Sequence, residues 1–89
     1  MRLYSYYDKQ AETFSQPIVQ HTDGIAIRNF QEAVNNPEMV FHKFPDDFEL
    51  YYLGDLDEST GSFSVPDDKV YPCLVIKASQ LVDKSVSRE

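Results

Sequence analysis

Hydrophobic positions recur cleanly at helical spacing in one stretch of the chain, DGIAIRNFQEAVNN, at residues 23–36. At ~100° per residue, one side of this helix collects five apolar residues: Ala26, Ile27, Phe30, Ala33 and Val34. Asp23 can cap the first turn, with Thr22 as the alternative, and Pro37 ends the helix because proline disfavours a helical conformation in the preceding residue. A helix this short is marginal in water by itself, so the pattern predicts that Phe30 anchors it against a sheet.

Runs of alternating, aromatic and β-branched residues predict the strands of that sheet. In chain order they are residues 3–7, 14–20, 48–56, 62–65 and 73–78. Between the third and fourth strands, residues 57–61 form a turn in which Gly61 can adopt the left-handed conformation. Short helical segments are predicted at 37–43 and 79–82, and a loop at 66–68. The elements amount to an α+β fold: an antiparallel sheet of four to five strands with one main helix packed on one face.

Length and charge limit what such a chain can do. Its 89 residues suffice for one domain, predicted at 1–82 with a flexible tail at 83–89. The net charge of -7 and the pI near 4.6 argue against simple electrostatic binding to nucleic acid or to an anionic membrane. Residues 46–68 carry eight acidic side chains and no Lys or Arg, so a polyanion would have to avoid this part of the chain.

The residues that could carry chemistry form no metal-binding pattern. A nucleophilic pair of Cys73 with either histidine is the catalytic alternative, but Cys73 begins an apolar strand, where a buried inert thiol is far commoner. A single cysteine, Cys73, excludes an intramolecular disulfide, and neither His21 nor His42 lies in a zinc-site pattern. A calcium loop starting at Asp55 would place Thr60 where glycine is needed. We therefore expect no enzyme, no cofactor and no metal. With no apolar run of ~18 residues, we expect a protein that does not enter a membrane and stays in the cytoplasm.

Aromatic residues are more numerous on the predicted strands than a core of this size requires. In one interpretation the rings stack on unpaired bases while basic residues contact phosphates. The nucleic-acid-binding candidates are then Arg2, Tyr4, Tyr6, Lys9, Arg28 and Lys77. In the other interpretation half of the rings are core and the rest line an interface, since tyrosine is favoured at protein interfaces. The interface candidates are Tyr7, Tyr51 and Tyr52, and a homodimer would account for them.

Three segments together resemble one small viral protein. They are MRLYSYYDKQAETFSQP at the start, DGIAIRNFQEAVN in the middle and YYLGDLDESTGSF later. The resemblance is to the small nonstructural protein encoded by the fifth open reading frame of gokushoviruses, which are bacterial microviruses with circular single-stranded DNA genomes. It covers roughly residues 1–80. The most specific part is the pattern D-G-x-A-I-R-x-F-x-x-A-V-N, carried by Asp23, Gly24, Ala26, Ile27, Arg28, Phe30, Ala33, Val34 and Asn35.

The resemblance implies a non-virion protein of the host bacterial cytoplasm, linked to viral DNA replication and to the switch toward single-strand synthesis. It implies no catalytic residues. Two functional hypotheses follow. The first is an accessory protein that binds single-stranded DNA weakly through strand aromatics and scattered basic residues. The second is an interaction module that acts on a viral or host replication protein, or a packaging protein, through its acidic segment without touching nucleic acid.

Overall fold

Six strands and one main helix form the framework of the computed structural model, which describes residues 1–65 and 71–83. In chain order the elements are β1 Arg2–Asp8, β2 Thr13–Phe14, β3 Ile18–Gln20, α1 Asp23–Val34, α2 Val40–Lys43, β4 Phe48–Leu56, β5 Phe63–Ser64 and β6 Cys73–Lys77. Short 3-10 turns follow α2 at Pro45–Asp47 and β6 at Ala78–Gln80. The α+β class is confirmed. The loop predicted at 66–68 lies outside the described residues, as does most of the predicted tail.

The sheet is centred on β1 and β4, and its described strand pairs are all antiparallel. The free side of β1 pairs with β2 at one end and β3 at the other, while the free side of β4 pairs with β6 and β5. The sheet is therefore four strands wide, with each outer strand made of two pieces.

The predicted second strand, residues 14–20, is divided into β2 and β3. Pro17 lies in the break, where it has no backbone N–H to donate to a ladder. Between the two pieces, Ser15 bonds to β1. Its backbone N–H donates to the Tyr6 carbonyl at 2.8 Å, and its carbonyl accepts a hydrogen bond from Ser5 Oγ at 2.7 Å. The count of six strands, against four or five predicted, follows from this interruption.

Helix α1 lies across one face of the sheet, as its apolar stripe predicts. Ala26, Phe30 and Val34 are buried. Of the two candidate caps, Thr22 takes the position: its Oγ1 accepts the Ile25 N–H at 3.2 Å. Asp23 is the first helical residue, with its carboxylate near the positive end of the helix dipole.

The core beneath α1 is largely aromatic. The Phe30 ring, with no exposed surface, packs against Tyr6 at 4.7 Å and Phe41 at 5.3 Å between ring centroids. Tyr4 and Leu50, from the two central strands, are equally buried. The sheet side of the core is thus supplied by the same alternate positions of β1 and β4.

Asn35, immediately after α1, holds the C-terminal segment against the helix. Its Nδ2 donates to the carbonyls of Gln31 and Leu81, each at 2.9 Å, and its Oδ1 accepts the Asp83 N–H at 2.7 Å. The hydrogen-bonded structure therefore extends to Asp83. Among the described residues, no helix is long and apolar enough to cross a membrane.

Candidate functional site on the open face of the sheet

The second face of the sheet has no helix over it among the described elements. Side chains alternate along a strand, so if Tyr4 and Tyr6 face α1, then Leu3, Ser5 and Tyr7 face the other side. The registers Tyr7 with Glu49 and Tyr51 with Leu74 continue this face across the sheet. We call it the open face.

Three aromatic rings meet near one end of the open face. Tyr7 lies 4.8 Å from Phe14 and 6.2 Å from Tyr51, and Phe14 lies 5.5 Å from Tyr51, all between ring centroids. Tyr7 and Phe14 face each other across the β1–β2 hairpin, which explains their contact. Phe14 is 41% exposed, so the cluster presents ring surface to solvent. We call these three residues the aromatic triad.

A charged group borders the triad. Glu49 is almost fully buried, and its carboxylate accepts a hydrogen bond from the Tyr51 hydroxyl at 3.1 Å and lies 3.5 Å from Lys9 Nζ. Burial, together with the bond to Glu49, raises the pKa of Tyr51 above its ordinary value. Lys77 lies opposite Glu49 in the β4–β6 register and is exposed. The triad therefore has two lysines beside it, and one of them is already paired.

The structure distributes the predicted site residues over different surfaces. Four of them lie on the open face: Tyr7, Lys9, Tyr51 and Lys77. Arg28 is exposed on α1, remote in the fold from that face. The other four lie on the helix side of the sheet: Arg2, Tyr4, Tyr6 and Tyr52.

Burial decides what those helix-side aromatics can do. Tyr4 has no exposed surface, Tyr52 is 3% exposed, and Tyr6 is enclosed by Phe30 and Phe41. A base could not stack on Tyr4 or Tyr6 without displacing α1, and Tyr52 offers no ring surface to a partner. On this side the rings form the core, as the second interpretation of the aromatics expects.

Arg2 is likewise engaged within the chain. Its Nε donates to the Tyr4 hydroxyl at 2.9 Å and to Asp23 at 3.0 Å, and its guanidinium carbon lies 3.9 Å from the centre of the Tyr52 ring. The Tyr4 hydroxyl also donates to Asp23. A phosphate contact would compete with this cation–π and ion-pair arrangement.

Sequence reasoning counted Phe14 among the strand aromatics but did not select it as a site residue, and it missed Glu49. A signal for Phe14 was available, since a hairpin loop between 7 and 14 places their side chains on one face. No local sequence pattern marks Glu49 as a site residue, because its burial depends on Lys9 and on the neighbouring strands β1 and β6.

The region of the chain that matches known proteins is nearly the same as the region that contains the described elements. A family model described as Phage ORF5 protein matches residues 1–81, which include every described element up to Leu81. The chain belongs to the Phage ORF5 protein family. Protein ORF5 of Chlamydia phage 1 is 31% identical to it over 68 residues, covering 71% of this chain and 70% of that relative. No solved structure matches it.

Membership of the Phage ORF5 family makes this a bacteriophage accessory protein and confirms the resemblance to gokushovirus proteins of the fifth open reading frame. The aromatic triad and both bordering lysines lie inside the matched residues.

Proposed function

We propose that this Phage ORF5 family member is an accessory protein of viral DNA replication and single-strand synthesis in the host cytoplasm, and that it binds single-stranded DNA weakly across the open face. The aromatic triad carries the proposal. Three rings in mutual contact, one of them 41% exposed, form a platform on which unpaired bases can stack. The role is binding rather than catalysis.

Charge determines the expected character of this binding. The chain carries -7 overall, and Lys9 is paired with Glu49, so few cations remain for phosphate groups. Stacking, worth about 1–3 kcal/mol per base, then supplies most of the affinity. Because one or two lysines release one or two counterions, the logarithm of the binding constant should fall with a slope of about -1 against the logarithm of salt concentration.

The test is a titration of the full chain into a fluorescent oligothymidylate of about 12 nucleotides, at low and moderate salt. Phe14→Ala should weaken binding about tenfold, since one stacking contact is lost. Phe44→Ala is the matched control, because Phe44 is also exposed but lies beside α2 on the helix side. Lys77→Gln should flatten the salt dependence, whereas Lys43→Gln should not. Absence of saturable binding at low salt, or equal loss in Phe14→Ala and Phe44→Ala, would reject the proposal.

A second candidate is a protein partner for the same face. The open face also carries apolar side chains outside the triad, and Val19, Phe63 and Leu74 are each more than a third exposed. Such a surface suits a second copy of the chain, with Tyr7 and Tyr51 inside the interface. It also suits a replication or packaging protein that acts without nucleic acid.

Sedimentation at micromolar concentration separates these candidates. A dimer that Leu74→Lys dissociates, and that the oligonucleotide does not disturb, would favour self-association over DNA binding. A monomer that binds the oligonucleotide would favour the first proposal.

A further inference from the structure

A separate group of apolar side chains is exposed on the helix side of the molecule, at α2. Met39, Val40 and Phe44 are 36%, 46% and 55% exposed. Phe44 is the most exposed of the large hydrophobic residues in the described chain. We call these three residues the α2 patch.

The exposure of the α2 patch is imposed by what the opposite side of α2 does. Phe41 points into the core, where its ring lies 5.3 Å from Phe30 and 4.8 Å from Phe48. His42 Nδ1 lies 3.1 Å from the Val34 carbonyl at the end of α1. With these two contacts made, α2 cannot rotate to bury Val40 without exposing Phe41.

The patch is also preorganised. Val40 and Phe44 are four residues apart on one helical turn, and the Phe44 N–H donates to the Val40 carbonyl at 3.0 Å. The 3-10 turn continues directly from Phe44, with the Asp47 N–H donating to the Phe44 carbonyl at 3.1 Å. Neighbouring side chains are thus held side by side before any partner arrives, which lowers the entropic cost of binding.

Within its own segment of the chain, the charges next to the α2 patch are mostly negative. Glu38 precedes the patch and Asp46 follows it, while Lys43 is the basic residue between them. The next carboxylate, Asp47, accepts a hydrogen bond from Gln10 Nε2 at 3.2 Å. From residue 44 to residue 68 the chain has no Lys or Arg. An apolar surface bordered by carboxylates favours a ligand that is apolar on one side and cationic at its edges.

We propose that the α2 patch docks a basic amphipathic segment of another protein, a helix with an apolar stripe flanked by Lys or Arg. A helix of this kind lays its stripe on an exposed apolar surface while its cations meet the flanking carboxylates. A second copy of this chain fits poorly, since it would bring Glu38 and Asp46 of two chains with -7 each into proximity. An anionic polymer fits poorly for the same reason.

This proposal goes beyond the proposed function because it concerns another surface. The aromatic triad lies on the open face, whereas the α2 patch lies beside α1, joined to the core through Phe41. Both surfaces can therefore be occupied at once, and a DNA-binding accessory protein could be brought to a protein partner through α2.

The experiment measures fluorescence anisotropy of a labelled Leu/Lys amphipathic peptide of about 18 residues, long enough to form a helix, titrated with the full chain. We expect saturable binding that weakens at least tenfold in Phe44→Ser and severalfold in the pair Glu38→Gln and Asp46→Asn. Phe63→Ser is the matched control for Phe44→Ser, and the pair Glu12→Gln and Glu58→Gln, which also removes two exposed negative charges, is the matched control for the acidic pair. A Leu/Glu peptide of the same length should not bind.

Three outcomes overturn the proposal. The first is no saturable binding of the Leu/Lys peptide. The second is an equal loss in the controls, which would mean that net charge alone attracts the peptide. The third is a dimer, found by sedimentation without peptide, that Phe44→Ser converts to monomer, which would assign the α2 patch to self-association. Oligothymidylate binding of Phe44→Ser, measured in parallel, shows separately whether the open face still functions.

Discussion

The ring of Phe63 lies directly over Gly54. A Cβ added at Gly54 would fall 2.6 Å from Cζ of Phe63 and 2.8 Å from the Ser64 carbonyl oxygen, and the φ of Gly54 is +148°. Only a residue without a side chain fits there. The register of β4 against β1 shifts beside this position, with Leu53 as the extra residue, so the glycine lies at a bulge in the central strand.

Gly54→Ala should therefore lower the free energy of unfolding by about 2–3 kcal/mol, because the backbone conformation is unsuitable for alanine and the Ser64 backbone must move. Urea denaturation followed by circular dichroism measures the change. Gly61→Ala is the matched control: Gly61 also has a positive φ, +78°, but nothing lies within 4 Å of its added Cβ. An equal loss in both variants would show that close packing by Phe63 and Ser64 is unimportant.

Phe30→Ala should cost about 3–5 kcal/mol, since the ring is fully buried and its loss leaves a cavity between Tyr6 and Phe41. The same urea experiment on Phe44→Ala, where the ring is 55% exposed, should show less than about 1 kcal/mol. If both variants lose similar stability, the packing of α1 on the sheet does not organise the fold.

The buried hydroxyls of Tyr4 and Tyr52 predict a loss of stability at alkaline pH. Burial is the main cause that raises the pKa of each to about 12, aided by the hydrogen bond to Asp23 for Tyr4 and by the negative charge of Asp55 for Tyr52. In the unfolded chain both ionise near the ordinary tyrosine pKa of about 10. The stabilising contribution is therefore complete below pH ~10 and is lost as the pH rises from there toward 12.

Urea unfolding at a series of pH values from 9 to 12 measures this loss, and absorbance near 295 nm reports tyrosine ionisation directly. The double variant with Tyr4→Phe and Tyr52→Phe should lose less stability across the alkaline range than the parent chain, because neither ring can then ionise. An unchanged slope in that variant would contradict the assignment to these two rings.

Asn35→Ala should cost about 1–3 kcal/mol, because it leaves the Leu81 carbonyl and the Asp83 N–H without the partners that Asn35 supplies. Hydrogen exchange should show the Asp83 amide losing protection. Asn36→Ala is the matched control, since the hydrogen bond that it removes is a local one from the Glu38 N–H. In this variant the free energy of unfolding and the protection of the Asp83 amide should change little. Retained protection of Asp83 in Asn35→Ala would place the anchor of the C-terminal segment elsewhere.

The hydrophobic pattern of the chain determined most of its elements and the packing of α1 on the sheet. Apolar spacing around Phe30 defined α1 and its buried stripe, because helix periodicity is a local property of the chain. Alternation along β1 likewise places Tyr4 and Tyr6 on one face of the sheet and Tyr7 on the other. The family was recognisable from the sequence alone, mainly from the α1 segment.

Tertiary structure alone decided which of the two faces of the sheet is covered by α1. Both faces of β1 carry tyrosine, so composition cannot rank them, and the choice depends on pairing with β4, about fifty residues away along the chain. The same long-range pairing buries Glu49, sets the bulge at Gly54 and gathers Phe14 with Tyr51. The alternation of residues along a strand shows that the sheet has two faces. Only contacts among distant strands and the helix determine which face is buried.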